Sequence, residues 1–427
     1  MKQKTSKFLS TLAFHCLVIH PLTADTVSRT GDPPLIESTE SLSLADAVAL
    51  TLGNSPHLEP FSWDIRIQEA EAIQAAARPN PELALELENA FGDGIYSGTG
   101  VAEKTLSIGQ LIELGRKRAK RIDVAEQSVK LASQSYLIKR TEVLNSVANS
   151  FLEALAAKQK VEFAEATLQM EEQLAAAQEE RLQAGKISGL EVENGKTALA
   201  LANIELEAAR RALRQAKLLL TSHWGDPNPQ FKHLEGTLKI DPVAPDARIY
   251  RESLSNNPIL EFSARLIERQ RASLALEESS RIPDLTAGVG LRSFEQSRDN
   301  AMVFQLSLPL PLFDRNRGNI QKAQAELSKA RASHKSTQVM LETTFSEAYE
   351  RLLAAHQETE AIIQSVLPSA QSGFQLAQES YQLGKFSYFE LKTAQTILID
   401  SRKKLLSAQL RYHKAKADLE MLAGKTL

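Results

Sequence analysis

The side chains best placed to do chemistry occur as two matching sets. Gln183-Ala184-Gly185-Lys186-Ile187-Ser188-Gly189-Leu190-Glu191-Val192 returns 199 residues later as Gln382-Leu383-Gly384-Lys385-Phe386-Ser387-Tyr388-Phe389-Glu390-Leu391. Ser188 with Glu191, and Ser387 with Glu390, have the spacing of a capping box, in which hydroxyl and carboxylate satisfy backbone N–H groups at a helix start. Gly185 and Gly384 stand where a preceding helix needs a left-handed residue to reverse. A carboxylate in this place also has a second use, as fixed negative charge facing cations in a narrow passage. Turn alone, and turn with docking and gating, are both open at this point.

Other constellations fall short of a catalytic or cofactor site. Gly424-Lys425-Thr426 ends like a phosphate loop, but Leu419 stands where its first glycine belongs, and Gly288-Val289-Gly290 lacks a third glycine. His57, His223, His233, His334, His356 and His413 are scattered, with no i,i+4 pair beside a carboxylate, so no fixed metal site is expected. His334 shares a seven-residue row with Ile320, Leu327 and Leu341, which reads as a satisfied interface histidine. Arg116-Lys117-Arg118-Ala119-Lys120-Arg121 is either a solvated helix face or a contact for anionic headgroups. The chain reads as a non-enzyme without cofactors.

Residues 1–24 have the form of a secretory signal: Lys2, Lys4 and Lys7, the apolar run Phe8 to Ile19, then Pro21-Leu22-Thr23-Ala24. Its loss removes three lysines and no acids, taking the formal charge from −3 to −6, and also removes Cys16, the one cysteine. No thiol chemistry then remains. An exported, net-acidic chain is a poor partner for nucleic acid. No apolar run reaches the roughly 18–20 residues of a membrane helix.

The elements carrying these motifs are themselves duplicated. Asn54-Ser55-Pro56 returns as Asn256-Asn257-Pro258, and Pro81-Glu82-Leu83 as Pro283-Asp284-Leu285. The organisation expected is an extended lead-in over 25–41, a first repeat over 42–224, a proline-bearing linker over 225–245 and a second repeat over 246–427. From Arg116 to Ala184 there is neither glycine nor proline, which at 1.5 Å per residue allows a rod of roughly 100 Å. After each motif a heptad seam begins: Val192, Leu199, Leu206, Leu213 and Leu220, then Leu391, Leu398, Leu405, Tyr412 and Leu419. Between helices, alternating stretches at about 82–91, 101–111, 284–293 and 301–311 read as four strands. Four strands cannot close a membrane barrel, which starts at about eight. A membrane reading therefore demands several chains, while the same pattern also suits a soluble sheet on a helix.

Together these features resemble the outer-membrane efflux protein family, the TolC-like exit ducts of tripartite pumps, over roughly residues 42–424. The most specific piece is Tyr381 to Leu391 with Leu367-Pro368 before it; the first copy has Leu182 in place of the aromatic. His223-Trp224-Gly225-Asp226-Pro227, followed by Phe231, is similar to the cobalt-zinc-cadmium (CzcC-like) branch. The resemblance implies a mainly α fold with a small β part: a homotrimer forming a long α-helical barrel and a twelve-stranded barrel in outer-membrane lipid. It implies an adaptor-docking tip at Gly185, Lys186, Ser188, Gly384, Lys385 and Ser387, and a periplasmic constriction at Glu191, Tyr381 and Glu390. The implied partners are a periplasmic membrane-fusion adaptor and an inner-membrane transporter of the resistance-nodulation-division (RND) type. The cargo implied by the branch is divalent metal, with organic substrates or a periplasmic coiled-coil scaffold as alternatives.

Overall fold

The computed structural model of the protein describes residues 40–424. The signal-like segment, Cys16 and nearly all of the lead-in lie outside these residues. A short strand β1 (Ser41–Leu42) leads into α1 (Leu44–Asn54) and α2 (Glu59–Ala76). Strands β2 (Glu82–Glu88) and β3 (Glu103–Ile112) follow, then α3 (Lys117–Gln183) and α4 (Gly189–Ser222). The linker holds β4 (His233–Leu234), paired parallel to β1, and leads to α5 (Ala247–Arg251). The order then recurs as α6 (Pro258–Ser279), β5 (Leu285–Phe294), β6 (Asn300–Ser307), α7 (Arg317–Ala361), α8 (Leu367–Gln382) and α9 (Tyr388–Leu422).

The absence of glycine and proline makes α3 continuous for 67 residues, on the order of 100 Å. Its counterpart is interrupted: Pro368 has no N–H to offer the turn before it, and Ile362–Val366 relaxes into a π-helical turn between α7 and α8. Both heptad seams are core. Val192, Leu206 and Leu220 in α4, and Leu391, Leu398, Tyr412 and Leu419 in α9, are all buried. Near the strands, α3 packs on α2 and α6, and α6 on α7; farther along, α3 packs on α4 and α9, and α9 on α7 and α8. Four helices therefore stand side by side at either level.

The sheet has the order β2-β3-β5-β6, antiparallel throughout. Register sets Leu83, Ile108, Val289 and Phe304 in one row and Leu85, Leu106, Leu291 and Met302 in the next. All eight are exposed, Phe304 at 77% and Leu85 at 76%, so the middle of this face is bare hydrocarbon, with Lys104 beside Ser293 at one end and Gln110 at the other. The other face carries Glu82, Glu86, Glu88, Glu103 and Arg292 among small residues. Arg292 reaches Glu88 and Glu103 at 2.9 Å and the Thr105 hydroxyl at 2.9 Å. The ladder stops at Ser307, short of the expected 311, because Pro309 and Pro311 have no N–H to pair.

The inter-repeat linker is a strap held by side chains from four helices in turn. Lys217 of α4 donates to the Phe231 and Lys232 carbonyls at 3.3 and 3.1 Å, and Lys158 of α3 to Leu234 O at 3.4 Å. His413 of α9 donates to Lys239 O at 3.1 Å. His356 and Tyr349 of α7 donate to Asp241 O and Pro245 O at 2.9 and 3.1 Å. Extended backbone needs such partners where no ladder exists. Between these bonds Leu234 and Leu238 enter one core with Phe151 and Leu220, and just beyond them Tyr250 of α5 enters a second with Phe345 and Tyr412.

Candidate functional site

The two helix reversals form the site that the duplicated motif marks. Gly185 and Gly384 have φ of 71° and 73°, the left-handed region where a side chain costs energy. In each copy the residue after the glycine reaches back five positions: Lys186 N to Arg181 O at 2.9 Å, and Lys385 N to Ser380 O at 2.8 Å. Gly185 N bonds Leu182 O and Gly384 N bonds Tyr381 O, which completes a Schellman cap twice. Gly185, Lys186, Ser188, Gly384, Lys385 and Ser387 are all exposed. Around them stand Leu190, Leu383, Phe386 and Phe389, exposed by 72, 70, 42 and 77%. Sequence reasoning passed over these apolar residues, although they interleave the motif itself.

The two acids of the motif are used differently. Ser387 and Glu390 make the full reciprocal box: Ser387 N and Oγ donate to Glu390 Oε2 at 2.7 and 2.9 Å, and Glu390 N donates back at 3.3 Å. Those backbone and hydroxyl donors hold the Glu390 carboxyl below the usual range. In the first copy Ser188 still accepts from Glu191 N at 3.3 Å, but the Glu191 carboxylate turns away. It accepts a 2.5 Å hydrogen bond from the Tyr381 hydroxyl of α8. Tyr381 is 4% exposed, and the Arg181 guanidinium lies 4.4 Å over its ring and donates to its carbonyl at 3.1 Å. Burial first, then the Glu191 carboxylate, push the phenol up to about 12. Of the three constriction candidates the structure thus joins Tyr381 to Glu191 and leaves Glu390 on its own turn.

Above this pair the tip core carries a second charged contact. Glu171 of α3, 4% exposed, takes Lys392 at 2.5 Å and the Gln395 amide at 2.8 Å, both from α9. The cation and the amide together give that buried carboxylate its hydrogen-bond partners. Gln178 is fully buried where a Cβ at Gly195 of α4 would overlap its amide, so the glycine makes room for it.

His334 and three cations of the basic run make contacts within the fold. His334 sits between Ser263 and Gln338, at 2.7 and 3.1 Å. Ser263 gives its own proton to Leu260 O, so Nδ1–H donates and Nε2 accepts. In the basic run Arg118 and Arg121 turn back onto the Ala76 and Ala75 carbonyls at 2.7 and 2.9 Å, where the end of α2 leaves acceptors open. Arg121 also grips Glu113, and Lys117 pairs with Asp284 at 2.8 Å. Three of its cations are therefore spent inside the chain, and not on headgroups. Among the described residues no group of three or more His, Cys, Asp or Glu could hold a metal ion, and no helix is long and apolar enough to cross a membrane.

Comparison with known proteins agrees with this architecture. The sequence profile of the family described as "Outer membrane efflux protein" matches residues 47–226 and 249–425, one segment for each repeat. The chain is 29% identical over 389 residues to the cobalt-zinc-cadmium resistance protein CzcC of Cupriavidus metallidurans, covering 91% of both chains. It is 27% identical over 338 residues to the nickel and cobalt resistance protein CnrC of the same organism, covering 78% of this chain and 76% of that one. Its fold matches the outer membrane protein VceC of Vibrio cholerae with a TM-score of 0.74 at 19% identity, over 90% of this chain and 96% of that one. With both repeats matched, the chain belongs to the outer membrane efflux protein family.

Proposed function

We propose that three copies of this chain close into one passive duct that carries divalent heavy-metal cations out through the outer membrane. The observation that carries the reading is the four-stranded sheet, with exposed apolar rows across one face and, among the described residues, unpaired along the outer edges of β2 and β6. Lipid tolerates no open backbone edge, so those edges must pair with further copies. Three sheets of four strands make a closed ring above the minimum of about eight. The lateral helices, α2 and α7 near the sheet and α4 and α8 near the tip, then meet their counterparts in the neighbouring copies.

The duct itself does no covalent chemistry. Its tip, with Gly185, Lys186, Ser188, Gly384, Lys385 and Ser387, docks a periplasmic membrane-fusion adaptor. That adaptor joins it to an inner-membrane RND-type transporter, which supplies the energy. Glu191, Tyr381 and Glu390 stand near the constriction, where repeated carboxylates favour cations. The metal cargo rests on the resistance proteins to which the chain is similar.

Deleting the gene and measuring growth on zinc, cobalt and cadmium tests the cargo. Lower tolerance, restored by the wild-type chain, is the expected result. Unchanged tolerance to all three removes the metal reading. Crosslinking of carbonate-washed outer membranes tests the assembly, with a three-chain species expected and a monomer contradicting it.

A further inference from the structure

The apolar face of the sheet does not stop where its hydrogen bonds stop. Met302, Phe304 and Leu306 of β6 are exposed by 66, 77 and 72%, and the alternation continues through Leu308, Leu310 and Leu312 at 47, 71 and 65%. Pro309 and Pro311 separate these leucines and keep the segment out of any ladder, and a γ-turn from Leu312 N to Leu310 O at 2.8 Å closes it. Phe313 follows, 100% exposed, and then Asp314, Arg315 and Arg317. Apolar residues, one aromatic and then charge is the order found on passing from acyl chains through the headgroups to water.

Lengths decide what this segment is for. At about 3.4 Å per residue and a tilt of about 40°, Met302 to Leu306 covers only about 10 Å of bilayer, against an apolar band of about 25 Å in outer-membrane barrels. Continued to Leu310, where the γ-turn begins, the same column covers about 20 Å, and Leu312 follows on the turn itself. We propose that Leu308, Leu310 and Leu312 form a proline-stiffened lip that lies against phospholipid acyl chains of the periplasmic leaflet. This rests on the membrane reading of the sheet above. A neighbouring copy is the competing occupant, but it meets the backbone edge of β6, whereas Leu308 and Leu310 continue the alternation that sets Phe304 and Leu306 on one face.

Single-tryptophan variants read in vesicles of acyl-brominated phosphatidylethanolamine test the lip. The chain has two tryptophans, Trp63 and Trp224, replaced by Phe in the background. Leu310→Trp and Leu312→Trp should lose emission as fully as Phe304→Trp, while Gln305→Trp, on the opposite face, should not. All of these positions are exposed, so the larger ring is accommodated. Quenching at 304 without quenching at 310 and 312 overturns the lip and keeps the barrel. No quenching at 304 overturns the membrane face itself, and the lip with it.

Discussion

The Tyr381 hydroxyl and the Glu191 carboxylate, 190 residues apart, share a 2.5 Å hydrogen bond that ties the second hairpin to the first at the tip. The sequence position matching Tyr381 in the first repeat is Leu182, which has no hydroxyl, so Glu390 has no reciprocal partner and caps its own helix instead. One motif thus yields one cross-tie and one complete cap. A hydrogen bond to a charged group contributes about 1.5–3 kcal/mol. Tyr381→Phe removes it while keeping the ring beneath Arg181, and is expected to raise single-channel conductance in planar bilayers. Unchanged conductance would place the tie outside the passage.

The same asymmetry predicts unequal effects of removing the two cap serines. Ser387→Ala removes both hydroxyl bonds of the box, leaving only the backbone N–H of residue 387 on Glu390, and should cost about 1 kcal/mol locally. Ser188→Ala removes a single 3.3 Å acceptor, since Glu191 is engaged elsewhere. Hydrogen exchange at the first turn of α9 should therefore accelerate more in Ser387→Ala than exchange at the first turn of α4 does in Ser188→Ala. Equal acceleration would mean that Glu191 also caps in solution.

The repeat, the reversals and the heptad seams were legible because each follows from spacing along one segment. Gly185 and Gly384 mark turns by their own backbone freedom, and Leu391, Leu398 and Leu419 mark a seam by period alone. The end of β6 was misread because the alternation of Leu308 and Leu310 outweighed Pro309, although alternation reports a face and proline reports the ladder. The strap was not legible. Nothing local in residues 225–245 announces that Lys217, Lys158, His413 and His356 bond its carbonyls from four different helices. Likewise Glu191 and Glu390 look equivalent in sequence, and only the long-range arrival of Tyr381 separates them.

Acid should loosen that strap in two stages. Burial first, against the pull of the Leu238 and Lys239 carbonyls, sets His413 below its ordinary 6.5, with Lys416 opposing its charge and Asp241 favouring it. Because the folded value lies below the unfolded one, neutral His413 contributes fully above about pH 6.5, and that contribution is lost as pH falls through the lowered value. Asp241 is held below its ordinary 3.8 by Lys416 and Tyr412, so its contribution persists above that value and fails below it. Amide exchange over residues 235–246, corrected for intrinsic rate, should rise as pH falls below 6.5 and again as it falls below 3.8. His413→Gln should flatten the first rise alone. A first rise of equal size in that variant would assign it to another group, such as His223, which burial also lowers.

The reversal at Gly384 makes the sharpest test of the tip. An added Cβ there meets nothing within 4 Å, so any penalty comes from the φ of +73° and not from crowding. A left-handed backbone costs a non-glycine residue roughly 1–2 kcal/mol, more when it is β-branched and less for asparagine. Gly384→Val is therefore expected to distort the turn that presents Lys385 and Ser387, while Gly384→Asn keeps it. Both variants should assemble in the outer membrane as wild type does, because the tip is separated from the sheet by the lengths of α7 and α8. Metal tolerance should fall in Gly384→Val and stay near wild type in Gly384→Asn. Loss in both variants would mean that the bare glycine surface, and not its backbone, is what a partner contacts; retention in both would remove the tip from the docking site.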